Sequence, residues 1–363
     1  MVRAGRALGI GAAVLGGAAL GFVAERTLVR GRFVPPLPAV DVPLGSIAGE
    51  TSRVEGPGGL QVLVESYGPA DAPQVVLSHG WICTGRVWHE QVVRLADRYR
   101  IVTYDQPGHG RTPAPATGHY DLDLLGDTLI AVVADATRPG PLVIAGHSMG
   151  GMALLNAARR APLTVGNRLA GAMLLSTTSS AQAEKLTLEL GIRTAARLER
   201  GIRRFVPTLR DPRILKVTGR LTAATSDLSY LASRWTAVGP TADPRIVAFT
   251  QQLALDSGPD VVLGLIEAVL GVREDEGLDA LAGVPSSIVV GTHDKLTPLA
   301  LSRRMADRAS HAEFVELEGV GHMSLLEAPD RIVGLLEEHL ARAGGGVGSD
   351  DAAPPVGDAT ATG

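Results

Sequence analysis

Between Leu60 and Arg342, short runs of aliphatic and β-branched residues alternate with longer stretches of helical spacing. This alternation restricts the fold more than any other property of the chain. Strands are predicted over Leu60–Tyr67, Gln74–Ser78, Arg100–Tyr104, Leu142–Ala145, Ala172–Ser176, Ser287–Val290 and Glu313–Leu317. Helices are predicted over Val87–Ala96, Leu122–Asp135, Met149–Arg160 and Arg331–Ala343. Several strands, such as VVL and LVIA, are continuously apolar, as expected of strands covered on both faces. Strand–helix alternation then implies an α/β fold built on a mostly parallel, doubly wound sheet. One block interrupts the pattern. Ser180–Gly283 lacks clear strands and carries helical runs such as AEKLTLELGIRTAARLERGI and DVVLGLIEAVL. Inserted between two core strands, it is expected to form a helical cap over the carboxyl edge of the sheet, where open α/β folds bind ligands.

The ends differ from the middle. Residues 7–24 are 18 consecutive uncharged positions, preceded by Arg3 and Arg6 and followed by Glu25, Arg26, Arg30 and Arg32. As a helix the run spans roughly 27 Å, enough for a bilayer core. It can be a membrane anchor, a secretory signal with a cleavage site near Ala19 and Gly21, or a buried or amphipathic N-terminal helix. The chain is therefore expected to be anchored to a membrane or exported. Basic residues on both sides leave the orientation open. The expected organisation is an apolar segment at 1–30, a linker running into a first strand at 31–59, an α/β core at 60–179 and 284–343, the helical cap at 180–283, and a disordered tail at 344–363 rich in Gly, Ala, Asp and Pro.

Composition narrows the function classes. Of 363 residues 45% are apolar and 20% charged, as in a globular chain with a sizeable core, and the net charge of −4 gives no reason to expect a nucleic-acid partner. A single cysteine, Cys83, leaves no internal disulfide and reads as a small packing residue. The nine histidines include no helical i, i+4 pair with an intervening Glu, and no phosphate-binding loop occurs, so no metal or cofactor site is expected.

The chemistry is carried by residues at predicted strand ends. Gly146-His147-Ser148-Met149-Gly150 is a G-x-S-x-G sequence between a strand and a helix. Such a turn leaves no room for side chains beside the serine, hence Gly146 and Gly150, and it holds the Ser148 hydroxyl exposed at a helix N-terminus. A nucleophilic serine needs a base, and the base needs an orienting acid. His322, in Gly319-Val320-Gly321-His322-Met323, follows the last predicted strand. Asp294, in Gly291-Thr292-His293-Asp294, follows the strand before it. Asp105 and Asp121 precede the serine in the chain, His147 is expected to point away from the site, and His293 alternates away from Asp294. Oxyanion donors are expected from the backbone N–H of Met149 and of Trp81, with Gly80 allowing the backbone to turn in Ser78-His79-Gly80-Trp81.

HGW (79–81), YDQPGHGRT (104–112), GHSMGG (146–151), GTHD (291–294) and GVGHM (319–323), in this order, resemble the α/β-hydrolase superfamily over about Leu60 to Arg342. The branch resembled comprises esterases, lipases and cofactor-free perhydrolases with a helical cap. Ser rather than Asp at position 148 separates the chain from the dehalogenase and epoxide-hydrolase pattern. The resemblance implies the α/β-hydrolase fold and a serine hydrolase that cleaves small carboxylic esters with an apolar acyl or alcohol part through an acyl-enzyme. C–C bond hydrolysis, perhydrolysis and acyl transfer on the same three residues are the enzymatic alternatives. A non-catalytic ligand-binding protein is the alternative from another class.

Overall fold

The computed structural model describes residues 42–162, 165–180 and 226–345. The run at 7–24, the first helical run of the inserted block and the tail from residue 346 lie outside these. Among the described residues no helix is long and apolar enough to cross a membrane.

Eight strands form one sheet: β1 Glu50–Glu55, β2 Gln61–Tyr67, β3 Gln74–Ser78, β4 Arg100–Tyr104, β5 Leu142–His147, β6 Leu169–Leu175, β7 Ser286–Gly291 and β8 Glu313–Leu317. Their spatial order is β1-β2-β4-β3-β5-β6-β7-β8, parallel from β4 to β8, with β1 and β2 antiparallel at one edge. The ten helices among the described residues, three-residue and longer 3₁₀ turns aside, are α1 His89–Leu95, α2 Leu122–Ala136, α3 Met149–Arg160, α4 Ser226–Thr236, α5 Pro244–Asp256, α6 Pro259–Leu270, α7 Asp275–Asp279, α8 Leu299–Arg308, α9 Ser324–Glu327 and α10 Pro329–Gly345.

The two-sided covering inferred from continuous apolar runs is visible residue by residue. Val75, Leu77, Val143, Ala145, Met173, Leu175 and Val289 face one side, where α1 and α10 supply Val92, Leu95, Leu336 and Leu340. Val76, Ile144, Ala172, Leu174 and Ile288 face the other, against Leu129 and Val133 of α2 and Leu154 and Leu155 of α3. Each fully buried aliphatic side chain of this kind contributes about 1.5–3 kcal/mol. Local signals set the helix starts. Asp121 caps α2 by accepting the Leu124 N–H at 2.7 Å, and Asp243 caps α5, followed by Pro244 at the first helical position.

α8 is absent from the sequence-based expectation. Half of its sequence LALSRRMADR is polar, and only Leu301 and Met305, with Ala309 just beyond, form the buried stripe that seats it. α4 to α7 follow β6 in the chain. From α6, Val261, Leu265 and Val269 pack on Met149, Met152 and Ala153 of α3 and on Tyr120 and Leu125.

The register aligns the ends of five parallel strands. Ser78 pairs with Gly146, His147 with Leu175, Leu175 with Val289, and Gly291 with Leu317. The segments leaving these strands therefore emerge side by side along one edge. The strand order reverses between β3 and β5, the position at which doubly wound sheets open a crevice.

Several histidines are buried without charge, His79, His109, His147 and His339 among them. His79 donates from Nδ1 to Gly80 O (2.8 Å) and accepts the Gln106 N–H at Nε2 (2.8 Å), which fixes a neutral ring. Burial brings its pKa down to about 4, against the opposing bond to Gly80. Burial likewise brings His109 and His147 down to about 3, helped by the neighbouring rings of His79 and His322 respectively. The unfolded chain, with ordinary histidines near 6.5, binds more protons than the folded chain below that pH. Stability is thus complete above about pH 6.5 and falls on acidification, by about 1.4 kcal/mol per pH unit for each histidine until its folded pKa is reached. Thermal unfolding followed by circular dichroism should give a Tm that is level above neutrality and drops steeply towards about pH 4. A level Tm across that range would contradict neutral burial.

Candidate active site

Ser148 sits in the turn between β5 and α3 with φ 52° and ψ −120°, a conformation that non-glycine residues rarely adopt. The turn is held by its surroundings. The Ser148 N–H donates to Leu175 O (2.9 Å), and the Thr177 hydroxyl donates to Ser148 O (2.7 Å). The flanking glycines are required by space. A Cβ on Gly146 would lie 2.5 Å from Gly150 O, and one on Gly150 would lie 2.2 Å from Ser78 O. Both are backbone atoms with little freedom to yield. The three non-glycine residues with positive φ among those described are Ile82, Ser148 and Ser176, each following a strand at the same sheet edge.

Asp294 and His322 come together directly. His322 Nδ1–H donates to Asp294 Oδ2 at 2.9 Å, and both side chains are buried. That bond puts the proton on Nδ1 and leaves Nε2 as the basic nitrogen. The carboxylate is otherwise fully engaged. Oδ1 accepts the N–H groups of Leu296 (2.9 Å) and Thr297 (2.8 Å), and Oδ2 accepts the Thr297 hydroxyl (2.8 Å). Burial works against ionisation of Asp294, but the adjacent His322 ring and the Thr297 donors outweigh it and hold the carboxyl below the ordinary aspartate range.

Ser148 and His322 border one cavity of about 440 Å³, walled by α4, α5 and α6 and by the loops after β3, β5, β7 and β8. Among the described residues no hydrogen bond joins their side chains. Nucleophile–base bonds of this type commonly tighten only in the substrate complex. Most of the cavity wall is apolar, including Ile82 from the loop after β3, Ala254 from α5 and Ile266, Val269 and Leu270 from α6. Cys83 is also in the wall, and burial pushes its thiol up to about 12, so it is no thiolate nucleophile. A larger depression of about 590 Å³ beside Trp235 and Lys295 contains none of Ser148, Asp294 and His322.

Trp81 borders the same cavity, and the backbone before it lies against the turn that carries Ser148: a Cβ on Gly80 would be 3.1 Å from Ser148 Cβ. The Met149 N–H is the first donor of α3 and has no intrahelical acceptor. Neither this amide nor that of Trp81 is taken up by a backbone acceptor elsewhere among the described residues. Two unspent donors, that of Met149 at a helix N-terminus beside a serine hydroxyl and that of Trp81 in the turn after β3, can stabilise a negative oxygen formed there.

The remaining acids and histidines have other partners. Asp105 accepts from Gly85 N–H (2.9 Å) and Arg111 N–H (3.0 Å), fastening the loop after β4. Asp121 is the α2 cap. His293 is exposed and bonds to Thr292. His147 departs from expectation. It does not point away from the site: it borders the cavity, its ring centroid lies 4.9 Å from that of His322, and its Nε2–H donates to His322 O (2.9 Å). Along β5 it shares the face of Val143 and Ala145, and the loop after β8 folds across that face. Thr297 was also missed. Its signal was legible as Asp-x-x-Thr, in which an aspartate accepts from amides two and three residues on. Among the described residues no three His, Cys, Asp or Glu side chains group as metal ligands.

Comparison with known proteins agrees with this architecture. A pimeloyl-[acyl-carrier protein] methyl ester esterase of Xanthomonas campestris pv. campestris (strain B100) is 30% identical over 284 residues, covering 78% of this chain and 99% of that protein. Among solved structures, a thermophilic esterase from Thermogutta terrifontis superposes with TM-score 0.64 at 20% identity, over 81% of this chain and 99% of the other. The enol-lactonase from Burkholderia xenovorans LB400 gives TM-score 0.62 at 20% identity, over 80% and 100%. Residues 75–335 match the sequence pattern of the alpha/beta hydrolase family, and the chain belongs to that family.

Proposed function

We propose that the protein is a serine esterase acting on small carboxylic esters with an apolar acyl or alcohol part. The observation that carries the reading is the buried His322–Asp294 pair, 2.9 Å apart, whose His322 borders with Ser148 an apolar cavity of about 440 Å³. In the proposed reaction Ser148 Oγ attacks the ester carbonyl while His322 Nε2 takes the hydroxyl proton. Asp294 holds the ring and stabilises the imidazolium. The Trp81 and Met149 N–H groups receive the oxyanion, each such donor being worth about 3 kcal/mol in related chemistry. Collapse of the tetrahedral species expels the alcohol, protonated by His322, and leaves an acyl group on Ser148. Water, deprotonated by His322, then releases the acid. The esterase names of the relatives support this reaction class.

Labelling with a fluorophosphonate tests the nucleophile. The expected result is one adduct, mapped by mass spectrometry to the peptide carrying Ser148, together with turnover of p-nitrophenyl esters. An unlabelled chain that still binds apolar esters would favour a non-catalytic binding protein. Turnover only with hydrogen peroxide or diketone acids would move the assignment to perhydrolysis or C–C cleavage.

Residues 7–24 add a location to the proposal: a membrane anchor or an export signal, either of which suits lipid-like esters. Fractionation of the full chain tests this. Retention in a salt-washed membrane pellet indicates the anchor and a shortened secreted chain indicates export. A full-length chain that stays in the cytosolic supernatant rejects both.

A further inference from the structure

The loop Gly319–Met323 that carries His322 is gripped from outside on both sides of the imidazole. Before it, the Gly321 N–H donates to the Glu327 carboxylate, 3.1 Å to Oε1 and 3.2 Å to Oε2. After it, the Met323 N–H donates to Ala237 O at 3.1 Å. Glu327 Oε2 also accepts the Gly239 N–H at 2.7 Å. Ala237 to Gly239 is the segment leaving α4, and Arg234 of α4 donates to Gly239 O at 2.7 Å.

The two segments touch backbone to backbone. A Cβ on Gly239 would be 2.1 Å from Gly319 O, and one on Gly321 would be 2.3 Å from Val238 C. At such distances neither strip of chain can shift without moving the other. The α4 segment is also part of the cavity wall, through Ser233, Thr236 and Ala237. One carboxylate thus fastens the wall that an acyl chain would press on to the loop that presents the base.

We propose that Glu327 is a positioning residue that couples occupancy of the cap side of the cavity to the placement of His322. This inference rests on the esterase reading above. It means that a longer acyl chain raises kcat as well as lowering KM, because a filled wall holds the base in its reacting position. A carboxylate suits the task because one oxygen accepts from both segments while the other keeps a second contact to Gly321. A glutamine retains one acceptor oxygen and turns an NH2 towards a donor.

The test compares the full-length wild type, Glu327→Gln and Glu327→Ala on p-nitrophenyl acetate and octanoate, with Tm and circular dichroism recorded for each. Glu327→Ala is expected to lower kcat on octanoate by about 10- to 100-fold and on acetate by only about 2- to 3-fold, with KM changed less than that. Glu327→Gln is expected to show the same chain-length pattern with smaller losses. If Glu327→Ala does not fold, the pattern in Glu327→Gln decides. Equal losses on both esters, losses confined to KM, or no loss would overturn the coupling. A wild type without ester turnover overturns the esterase reading instead, and does so before any variant is compared.

Discussion

Ser148→Ala and His322→Ala are each expected to lower kcat for ester hydrolysis by about 10⁴-fold or more, with the double variant little worse than either single one. The two groups act as one unit. Without Oγ nothing can form the acyl-enzyme, and without the imidazole the hydroxyl keeps its proton. The residual rate is expected to come from the proposed donors, the amides of Trp81 and Met149, and from binding in the cavity. Neither substitution disturbs much else. Ser148 Oγ makes no capping bond to α3, and His322 is held through its backbone as well as through its ring. Stopped-flow assays with p-nitrophenyl butyrate, with Tm as a folding control, measure the effect. A folded variant within tenfold of wild type would remove that residue from the chemistry.

Asp294→Asn should cost about as much by a different route, roughly 10⁴-fold in kcat with little change in KM. Two amides, Leu296 N–H and Thr297 N–H, point at Oδ1. An asparagine must place its carbonyl oxygen there, since an NH2 would confront both donors. Its NH2 then occupies the Oδ2 position, 2.9 Å from His322 Nδ1, and donates to the ring instead of accepting from it. The ring proton moves to Nε2, the nitrogen that must take the serine proton. NMR of the histidine ring nitrogens should show the tautomer exchanged, and raising the pH should not recover activity. Wild-type turnover in Asp294→Asn would exclude Asp294 as the orienting acid and leave a search among the carboxylates near His322.

Much of this arrangement was legible in the chain itself. The parallel strands declare themselves by unbroken apolar runs, because strands covered on both faces have no polar side to alternate with. The expected residues 148, 294 and 322 were found by position at strand ends, and the register of β3, β5, β6, β7 and β8 explains why end positions meet. What escaped depends on contacts between distant segments. α8 is held by three buried apolar side chains on a helix that is half polar, too few to mark it. The side of β5 on which His147 lies follows from alternation, but the loop that crosses that side comes some 175 residues later in the chain. Glu327 looks like an ordinary surface acid beside Pro329. Only folding brings Gly239 and Gly321 to its carboxylate.

The φ of 52° at Ser148 has a thermodynamic corollary. Only glycine occupies such a backbone freely, and a side chain there costs on the order of 1–3 kcal/mol that the rest of the fold must offset. Natural drift towards a sturdier molecule would therefore favour glycine at the very position where the proposed reaction needs the hydroxyl. On the proposed reaction, reactivity and ruggedness pull against each other at a single α-carbon, and the serine is expected to persist only while turnover is selected.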